Sequence, residues 1–248
     1  MRTIILLSAG YDTVSGRPAP VAGEIGAIGM ALALGGEVLG VHVGPAGPTM
    51  REYAGYGLER IVALGAGQAG VVEALAAYIR SGAAFDGAPV DLVLTGRRGS
   101  GGEDSGLFPY ALAHALDWPI MRDIVAIQAT QGVVQVEQAL PRGVRRRAHV
   151  KGPCVLGVHD MAPFTPAFSF AAMRRGEVLT YGETADSPPA GTVAGADMQI
   201  RPYRARPRLI QAQASGTGGQ VMIDPTPQAA AQAIRDHLVM LGVLQTDR

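Results

Sequence analysis

Short apolar runs alternate with helical segments over the first 120 residues of this chain. Strands are predicted over residues 2–7, 37–43, 60–64 and 90–95, and helices over 24–34, 49–57, 71–81 and 109–117. The helix over 71–81 carries Val72, Leu75 and Ile79 at the spacing of one helical face. Strands that alternate with helices indicate βαβ units, a parallel sheet and helices on both faces. The sequence therefore predicts a three-layer α/β fold.

Composition narrows the classes of partner that suit this chain. It has 248 residues, with 21 basic and 21 acidic side chains, so it lacks the basic field that nucleic-acid binding requires. The one cysteine, Cys154, lies in an apolar run and is predicted to be a buried thiol. We recognise no signal peptide, and no apolar run approaches the roughly 20 residues that span a bilayer. We therefore expect no membrane insertion and a reducing compartment such as the bacterial cytoplasm.

The segment from residue 91 to residue 119 combines a strand end, a glycine-rich loop and a helix start. The apolar run ends at Thr95 and Gly96, and the helical pattern begins near Pro109 and stops before Pro119. Proline suits a first helical turn, and the amides of such a turn face the preceding loop, where the helix dipole favours an anion. The loop is therefore either a phosphate-binding loop or an ordinary connection in which glycines turn the chain.

The pattern changes after Pro119. Residues 124–129 and 133–140 flank a turn and predict an antiparallel hairpin, and strand-like runs follow over 148–150 and 154–158. Residues 186–220 are rich in Pro, Gly, Ala, Ser, Gln and Arg, which suits either a linker or an arm laid over a partner. A last helix is predicted over 227–241. We expect an α/β domain over residues 1–185, and an extended arm with a terminal helix that contacts a partner subunit over residues 186–248.

One segment of the sequence matches a catalytic motif. Ser100 to Ser105 reads SGGEDS, which fits the pyrophosphate-gripping loop of ATP pyrophosphatases, but that loop follows the first strand and this one follows the fourth. The five histidines have no metal-ligand spacing. No nucleophile, general base or metal site is predicted. The residues favour a chain that binds a cofactor and is not an enzyme by itself, with an adenylating enzyme that uses the SGGEDS loop as the alternative.

Two further segments have an unusual composition. Arg142, Arg145, Arg146 and Arg147 form a basic run near a predicted turn, which is either a solvated face or a docking surface for an acidic partner or a phosphate. Residues 163–173 read PFTPAFSFAAM, and three phenylalanines in a proline-punctuated loop suit either an exposed docking patch or core packing.

Several segments, in the same order, resemble the beta subunit of electron transfer flavoprotein. The resemblance covers nearly the whole chain. It lies in LLSAGYD near the start, Glu24-Ile25 at the first helix, MREYAGYGLERIVAL over 50–64, the whole of 91–119 with its Asp-Trp-Pro, Met173-Arg174-Arg175, and GQVMIDPTPQAAAQAIRDHL near the end.

The resemblance implies an adenine-nucleotide-binding fold and an electron-carrying role. A beta subunit of this family forms a heterodimer with an alpha subunit, which holds most of a redox FAD near the interface. The beta subunit itself holds AMP, or a second FAD in some relatives. The heterodimer carries electrons from flavin dehydrogenases, here of the acyl-CoA or N-methyl-amine type, toward a quinone reductase.

The resemblance also implies which residues bind and which dock. Recognition of the dehydrogenase would fall to residues 163–175, with Phe168 or Phe170 as the apolar anchor and Met173 beside them. The adenine-nucleotide contacts would be Leu6, Pro20, Val21, Ala22, Gly23, Val43, Gly96, Arg97, Arg98, Gly99, Ser100, Gly101, Gly102, Glu103, Asp104, Ser105, Gly106 and Leu107.

The chain also departs from the family pattern. Ser8 replaces a lysine in the first loop, Gly101 an aspartate and Gly106 a glutamine in the nucleotide loop. PRGVRRR over 141–147 replaces an acidic hairpin, and Thr13 replaces an aromatic residue that approaches the flavin. These differences indicate a divergent branch.

Overall fold

The fold is known from a computed structural model that describes residues 1–12, 14–65, 70–99, 105–130, 133–182 and 222–244. The chain divides into two compact units, Met1–Met198 and Gln199–Arg248. The domain boundary expected after residue 185 lies outside the described residues, as does most of the predicted arm.

Within the described residues, nine strands form one sheet. In chain order they are β1 (Arg2–Leu7), β2 (Glu37–Val43), β3 (Arg60–Leu64), β4 (Leu92–Thr95), β5 (Ile120–Thr130), β6 (Val133–Ala139), β7 (Arg145–Lys151), β8 (Cys154–Val158) and β9 (Glu177–Tyr181). The order across the sheet is β7-β6-β5-β8-β4-β1-β2-β3-β9. Pairing is parallel except for β5 with β6 and β6 with β7, which confirms the predicted mostly parallel sheet with an antiparallel hairpin.

The described helices are α1 (Ala22–Leu34), α2 (Pro48–Ala54), α3 (Val71–Ser81), α4 (Phe108–Leu116), α5 (Phe170–Arg175) and α6 (Pro227–Met240). Helix α2 ends three residues before the predicted residue 57, because the chain turns at Gly55. Helix α4 ends where Asp117 adopts a left-handed conformation with a φ of 56°, as a helix C-terminus commonly does.

Side chains of β1 point alternately to the two faces of the sheet and so separate two cores. Ile5 packs in a cluster with Ile28 of α1 and Met50 of α2, whereas Ile4 packs in a cluster with Ile79 of α3. The period of two along a strand places neighbouring residues on opposite faces. Helices therefore cover both faces, which gives the three layers that the sequence predicts. Cys154 is buried in the first cluster, and burial raises the pKa of its thiol to about 11.

Strand β9 was not predicted. It pairs in parallel with β3 at the edge of the sheet, and four of its five side chains are exposed. Its sequence does not alternate between buried and exposed residues, so no strand pattern is visible in the sequence alone. Pairing with β3 is what makes this segment a strand.

The order of the strands creates a switch point between β1 and β4. Strands β2 and β3 follow β1 on one side, and the chain then crosses over so that β4 pairs with the other side of β1. In open α/β sheets, ligands bind at the carboxyl ends of the strands at such a point. The loops after β1 and β4 meet there, where Gly99 lies beside Ser8.

Helix α6 belongs to the second unit and begins with a side-chain cap. Thr226 Oγ1 accepts a hydrogen bond from the Ala229 N–H at 3.3 Å. Ile234 and Met240 are among its exposed apolar side chains. Of the helices in the described part of the chain, none has the length and apolar character needed to cross a bilayer.

Candidate functional site

The loop after β4 approaches both the loop after β1 and the first turn of α1 closely, and glycines lie at both contacts. A Cβ added to Gly99 would lie 3.3 Å from the Ser8 Oγ, and one added to Gly96 would lie 3.1 Å from both the Cγ and the backbone nitrogen of Glu24. Backbone nitrogen atoms cannot move aside as a flexible side chain can. Gly96 therefore lets the strand end of β4 rest directly on the first turn of α1.

The start of α1 completes this junction. A Cβ on Gly23 would lie 3.5 Å from the Arg97 backbone nitrogen and 3.3 Å from Asp160 Oδ1. Val21 is the N-cap of α1 and provides no side-chain cap. The first-turn amides of a helix have no intrahelical partner and favour an anion. Three of the implied contact segments, Pro20 to Gly23, Gly96 to Gly99 and the end of β1, thus lie together.

A buried polar network lies beneath the junction. Glu24, in the first turn of α1, is only 4% exposed. Its Oε2 accepts a hydrogen bond from the Ser8 N–H at 2.8 Å and one from the Tyr53 hydroxyl, and its Oε1 accepts one from the Ser8 hydroxyl. The Tyr53 oxygen accepts a bond from the Val21 N–H at 2.8 Å. One carboxyl therefore joins the loop after β1, the start of α1 and helix α2.

Burial dominates the acid–base properties of this network. Desolvation raises the pKa of Glu24 to about 7, although its hydrogen bonds from Ser8 and Tyr53 act in the opposite direction. Desolvation and the neighbouring Glu24 raise the pKa of the Tyr53 hydroxyl well above its ordinary value. Sequence reasoning noted Glu24 only as part of a family motif and missed its partner Tyr53, since 29 residues separate them.

Arg97, one of the nucleotide contacts that the resemblance implies, is paired with two acids. Its Nε lies 3.5 Å from Asp123 Oδ1, and its Nη1 lies 3.7 Å from Asp160 Oδ2. Asp123 lies in an irregular stretch of β5 and has a φ of 60°. Arg97 is 42% exposed, so these pairs are worth little in stability. Arg98 is exposed and stands beside it.

A small pocket of about 20 Å³ opens beside Arg97, on the α4 side of the junction. That volume suits about one water molecule, so the pocket by itself is too small for a nucleotide. Its walls come from the ends of β4 and β8, from β5 and from the start of α4: Thr95, Gly96, Arg97, Gly106, Pro109, Tyr110, Ile120, Arg122, Asp123 and Gly157.

The remaining implied contact residues fall into three groups. Leu6 and Val43 lie at the carboxyl ends of neighbouring strands, and their side chains are buried in the core. Ser105, Gly106 and Leu107 lead into α4, where Ser105 Oγ accepts a hydrogen bond from the Leu107 N–H at 3.2 Å. A third group lies outside the described residues: Ser100, Gly101, Gly102, Glu103 and Asp104.

The segment with three phenylalanines divides between core and surface. Phe164 is half-buried against the core on the α1 side, where a Cβ on Gly29 would lie 2.9 Å from the Phe164 carbonyl oxygen. Phe168 is 48% exposed and Phe170 is 62% exposed. Met173, in α5, is half-buried. Phe164 thus packs against the core, and the two residues expected as anchors are exposed.

Only the first arginine of the basic run, Arg142, lies at the predicted turn. Residues 141–143 form a short 3-10 helix, whereas Arg145 to Arg147 belong to the edge strand β7. All three arginines are exposed. The Nε atoms of Arg145 and Arg147 lie 3.7 and 3.5 Å from the two carboxylate oxygens of Glu137 on β6.

Comparison with known proteins gives two findings. Residues 15–185 match the family described as "Electron transfer flavoprotein domain". The chain is also 31% identical, over 257 aligned positions, to the protein of Chromohalobacter salexigens named "Electron transfer flavoprotein subunit beta". That alignment covers 94% of this chain and 92% of the relative.

Proposed function

This chain belongs to the beta-subunit family of the electron transfer flavoproteins, and we propose that it works as the beta half of an electron-carrying heterodimer. The observation that carries the proposal is the similarity along nearly the full length of both chains. The alpha subunit would hold most of a redox FAD near the interface. This chain would position that interface and dock the redox partners, without bond chemistry of its own.

The switch-point junction suits an adenine nucleotide, AMP or the adenylate part of a second FAD. Gly23, Gly96 and Gly99 have no side chains, which allows the backbones of three segments to lie close together. The uncapped start of α1 and the loop that leads into α4 direct backbone amides toward the same edge of the sheet. A flavin bound in the heterodimer would accept and pass on electrons. The residues of this chain would bind the adenylate and fix the loops around it.

The exposed aromatic residues support a docking role for the segment before and within α5. Phe168 and Phe170 present apolar surface, with Met173 beside them. Apolar anchors of this kind concentrate binding energy at protein interfaces. We propose that this segment receives a flavin dehydrogenase of the acyl-CoA or N-methyl-amine type. The reduced heterodimer would then pass its electrons to a quinone reductase.

The second candidate function is that of an ATP pyrophosphatase-like adenylating enzyme, and the SGGEDS sequence from Ser100 to Ser105 favours it. The position of that loop counts against it, because the loop follows β4 instead of β1. An enzyme of this kind would split ATP into AMP and pyrophosphate.

One pair of assays separates the two candidates. The chain is co-expressed with its alpha subunit, and the purified complex is mixed anaerobically with substrate-reduced flavin dehydrogenase while the flavin absorbance is followed. Bleaching of a yellow heterodimer supports the carrier. The lone chain is incubated with ATP and Mg²⁺ in parallel. Release of pyrophosphate by the lone chain, abolished by Ser105→Ala, would establish the adenylating enzyme and contradict the carrier.

A further inference from the structure

Glu24 joins the three segments around the proposed adenylate site. Two of the bonds that it accepts come from Ser8 in the loop after β1, and a third comes from Tyr53 of α2. The same hydroxyl of Tyr53 lies 3.1 Å from the Ser8 carbonyl oxygen. The glycine-rich loop rests on the backbone of Glu24 through Gly96. The carboxyl of Glu24 therefore bonds the loop after β1 and helix α2, while its Cγ and backbone nitrogen face Gly96.

No cation among the described residues forms an ion pair with Glu24. The Arg97 backbone lies beside the start of α1, but its guanidinium is paired with Asp123 and Asp160. His42, on β2 beside β1, directs its Nδ1 to the Leu7 carbonyl oxygen at 2.9 Å, and burial lowers its pKa, so it is neutral near pH 7. An ionised Glu24 thus adds a buried negative charge that no cation in the described part of the chain neutralises.

We propose that Glu24 is a positioning residue of the nucleotide site and that its proton sets how tightly the site holds an anionic adenylate, with tighter binding while Glu24 is protonated. This inference rests on the proposed function, because it concerns the adenylate site. Both ionisation states can keep the network connected. The protonated carboxyl can donate to the Ser8 Oγ while Tyr53 donates to the Ser8 carbonyl oxygen.

Linkage fixes the direction of the effect. Burial already raises the pKa of Glu24 to about 7 in the chain without ligand. A bound phosphate adds negative charge and removes water, and both raise the pKa of a neighbouring carboxyl further. A ligand that raises the pKa binds the protonated form better, so its affinity declines as pH rises from about 7. Each unit of added shift corresponds to about a tenfold loss of affinity over the full range.

Substitution of Tyr53 tests the proposal independently of any change at Glu24. Its hydroxyl donates to Glu24 and so holds the pKa of that carboxyl lower than burial alone would. Tyr53→Phe keeps the ring that fills the core and removes this donor. We expect the decline in affinity to move to higher pH in this variant. A purely structural role for Tyr53 would weaken binding equally at every pH.

The test uses the intact heterodimer and labelled AMP as the probe. Equilibrium exchange of the label is measured between pH 7 and about 9, where a phosphate with a second pKa of about 6 is already dianionic. Glu24→Gln supplies a neutral side chain of the same shape. Glu73→Gln is the matched control, because Glu73 is also the third residue of its helix but is exposed. Labelled adenosine, which has no phosphate, is measured in parallel.

For the unaltered protein and for Glu73→Gln, we expect AMP affinity to fall about fivefold over this range for a one-unit shift. Glu24→Gln should show no fall, and adenosine should show a smaller one. A pH-independent affinity in the unaltered protein, or the same fall in Glu24→Gln, would overturn the inference and leave the proposed function intact. Absence of AMP exchange at every pH in every variant would contradict both the adenylate site and the inference.

Discussion

The ring of Phe168 lies against the α-carbon of Gly55, in the space that a side chain at position 55 would fill. The next residue fixes the contact, since the Ser169 N–H donates a hydrogen bond to the Gly55 carbonyl oxygen at 2.8 Å. Tyr56 packs against the same ring edge-on, with ring centroids 5.3 Å apart. The turn that ends α2 thus holds the proposed docking segment in place while leaving almost half of Phe168 exposed.

Gly55→Ala should displace the Phe168 ring, because the added methyl group would overlap it. We expect slower electron transfer from the dehydrogenase, an unchanged flavin content, and a loss of stability of about 1–3 kcal/mol, typical of overpacking. Stopped-flow reduction and thermal unfolding measure these effects. Gly47→Ala, at the other end of α2 with no atom near its added Cβ, is the control. Equal rates in the two variants would mean that the ring does not dock the partner.

Phe168→Ala combined with Phe170→Ala removes the exposed aromatic surface itself. Hot-spot truncations cost about 2 kcal/mol or more, so we expect a rise in the apparent KM for the heterodimer of at least about tenfold in the dehydrogenase assay. Flavin content, measured from the visible spectrum, should stay unchanged. Loss of flavin instead would show that these side chains support the interior of the heterodimer.

Gly96→Ala should disturb the switch-point junction. Its Cβ would meet the Glu24 backbone nitrogen at 3.1 Å, and strand β4 cannot retreat from a helix packed on it. We expect loss of bound adenylate together with destabilisation of about 1–3 kcal/mol. Gly26→Ala, in α1 with its nearest contact at 3.7 Å, should retain the adenylate. Retention of the adenylate by both variants would argue against a site at this junction.

Glu24 should also make the stability of the fold depend on pH. Its pKa in the folded chain, about 7, is above its ordinary value of 4.5, so folding favours the protonated form. The resulting stabilisation is complete below about pH 4.5 and is lost as pH rises through about 7, by up to about 3 kcal/mol. The stability difference between Glu24→Gln and the unaltered chain, from urea unfolding, should therefore shift in favour of the variant between pH 5 and pH 8. A constant difference would contradict burial of an unpaired carboxyl.

Truncation tests the expected arm. Deletion of residues 191–248 removes helix α6 together with the segment before it. The exposed apolar side chains of α6 include Ile234 and Met240. If this region contacts the alpha subunit, the truncated chain should form a weaker heterodimer. Analytical ultracentrifugation over a dilution series measures the change. A truncated heterodimer as stable as the full-length one would show that residues 191–248 do not contribute to the contact with the alpha subunit.

The sequence predicts the repetitive part of this fold well. The bounds of β1, β2, β3 and α3 agree with the prediction to the residue. Each of these elements shows its apolar pattern within its own residues, so the pattern can be recognised without knowledge of its neighbours. The hairpin of β5 and β6 was predictable from its central turn. These elements express local preferences that tertiary packing reinforces.

The candidate site was predictable only in outline. Glycines at a strand end indicated the loop after β4, but the pairing of Glu24 with Tyr53 depends on how α1 and α2 pack. Asp123 adopts a left-handed conformation in β5, which no periodicity indicates. Arg97, one of the implied nucleotide contacts, is paired with Asp123 in β5 and with Asp160 after β8. Long-range side-chain contacts of this kind leave no pattern in a single sequence.

The most direct test of the central claim is to identify what the purified heterodimer contains. The chain is co-expressed with its alpha subunit, the complex is denatured, and the released nucleotides are separated and quantified by chromatography. The account predicts a yellow complex that releases FAD and an adenine nucleotide held by this chain, either AMP or a second FAD. A colourless complex that releases no nucleotide would contradict it.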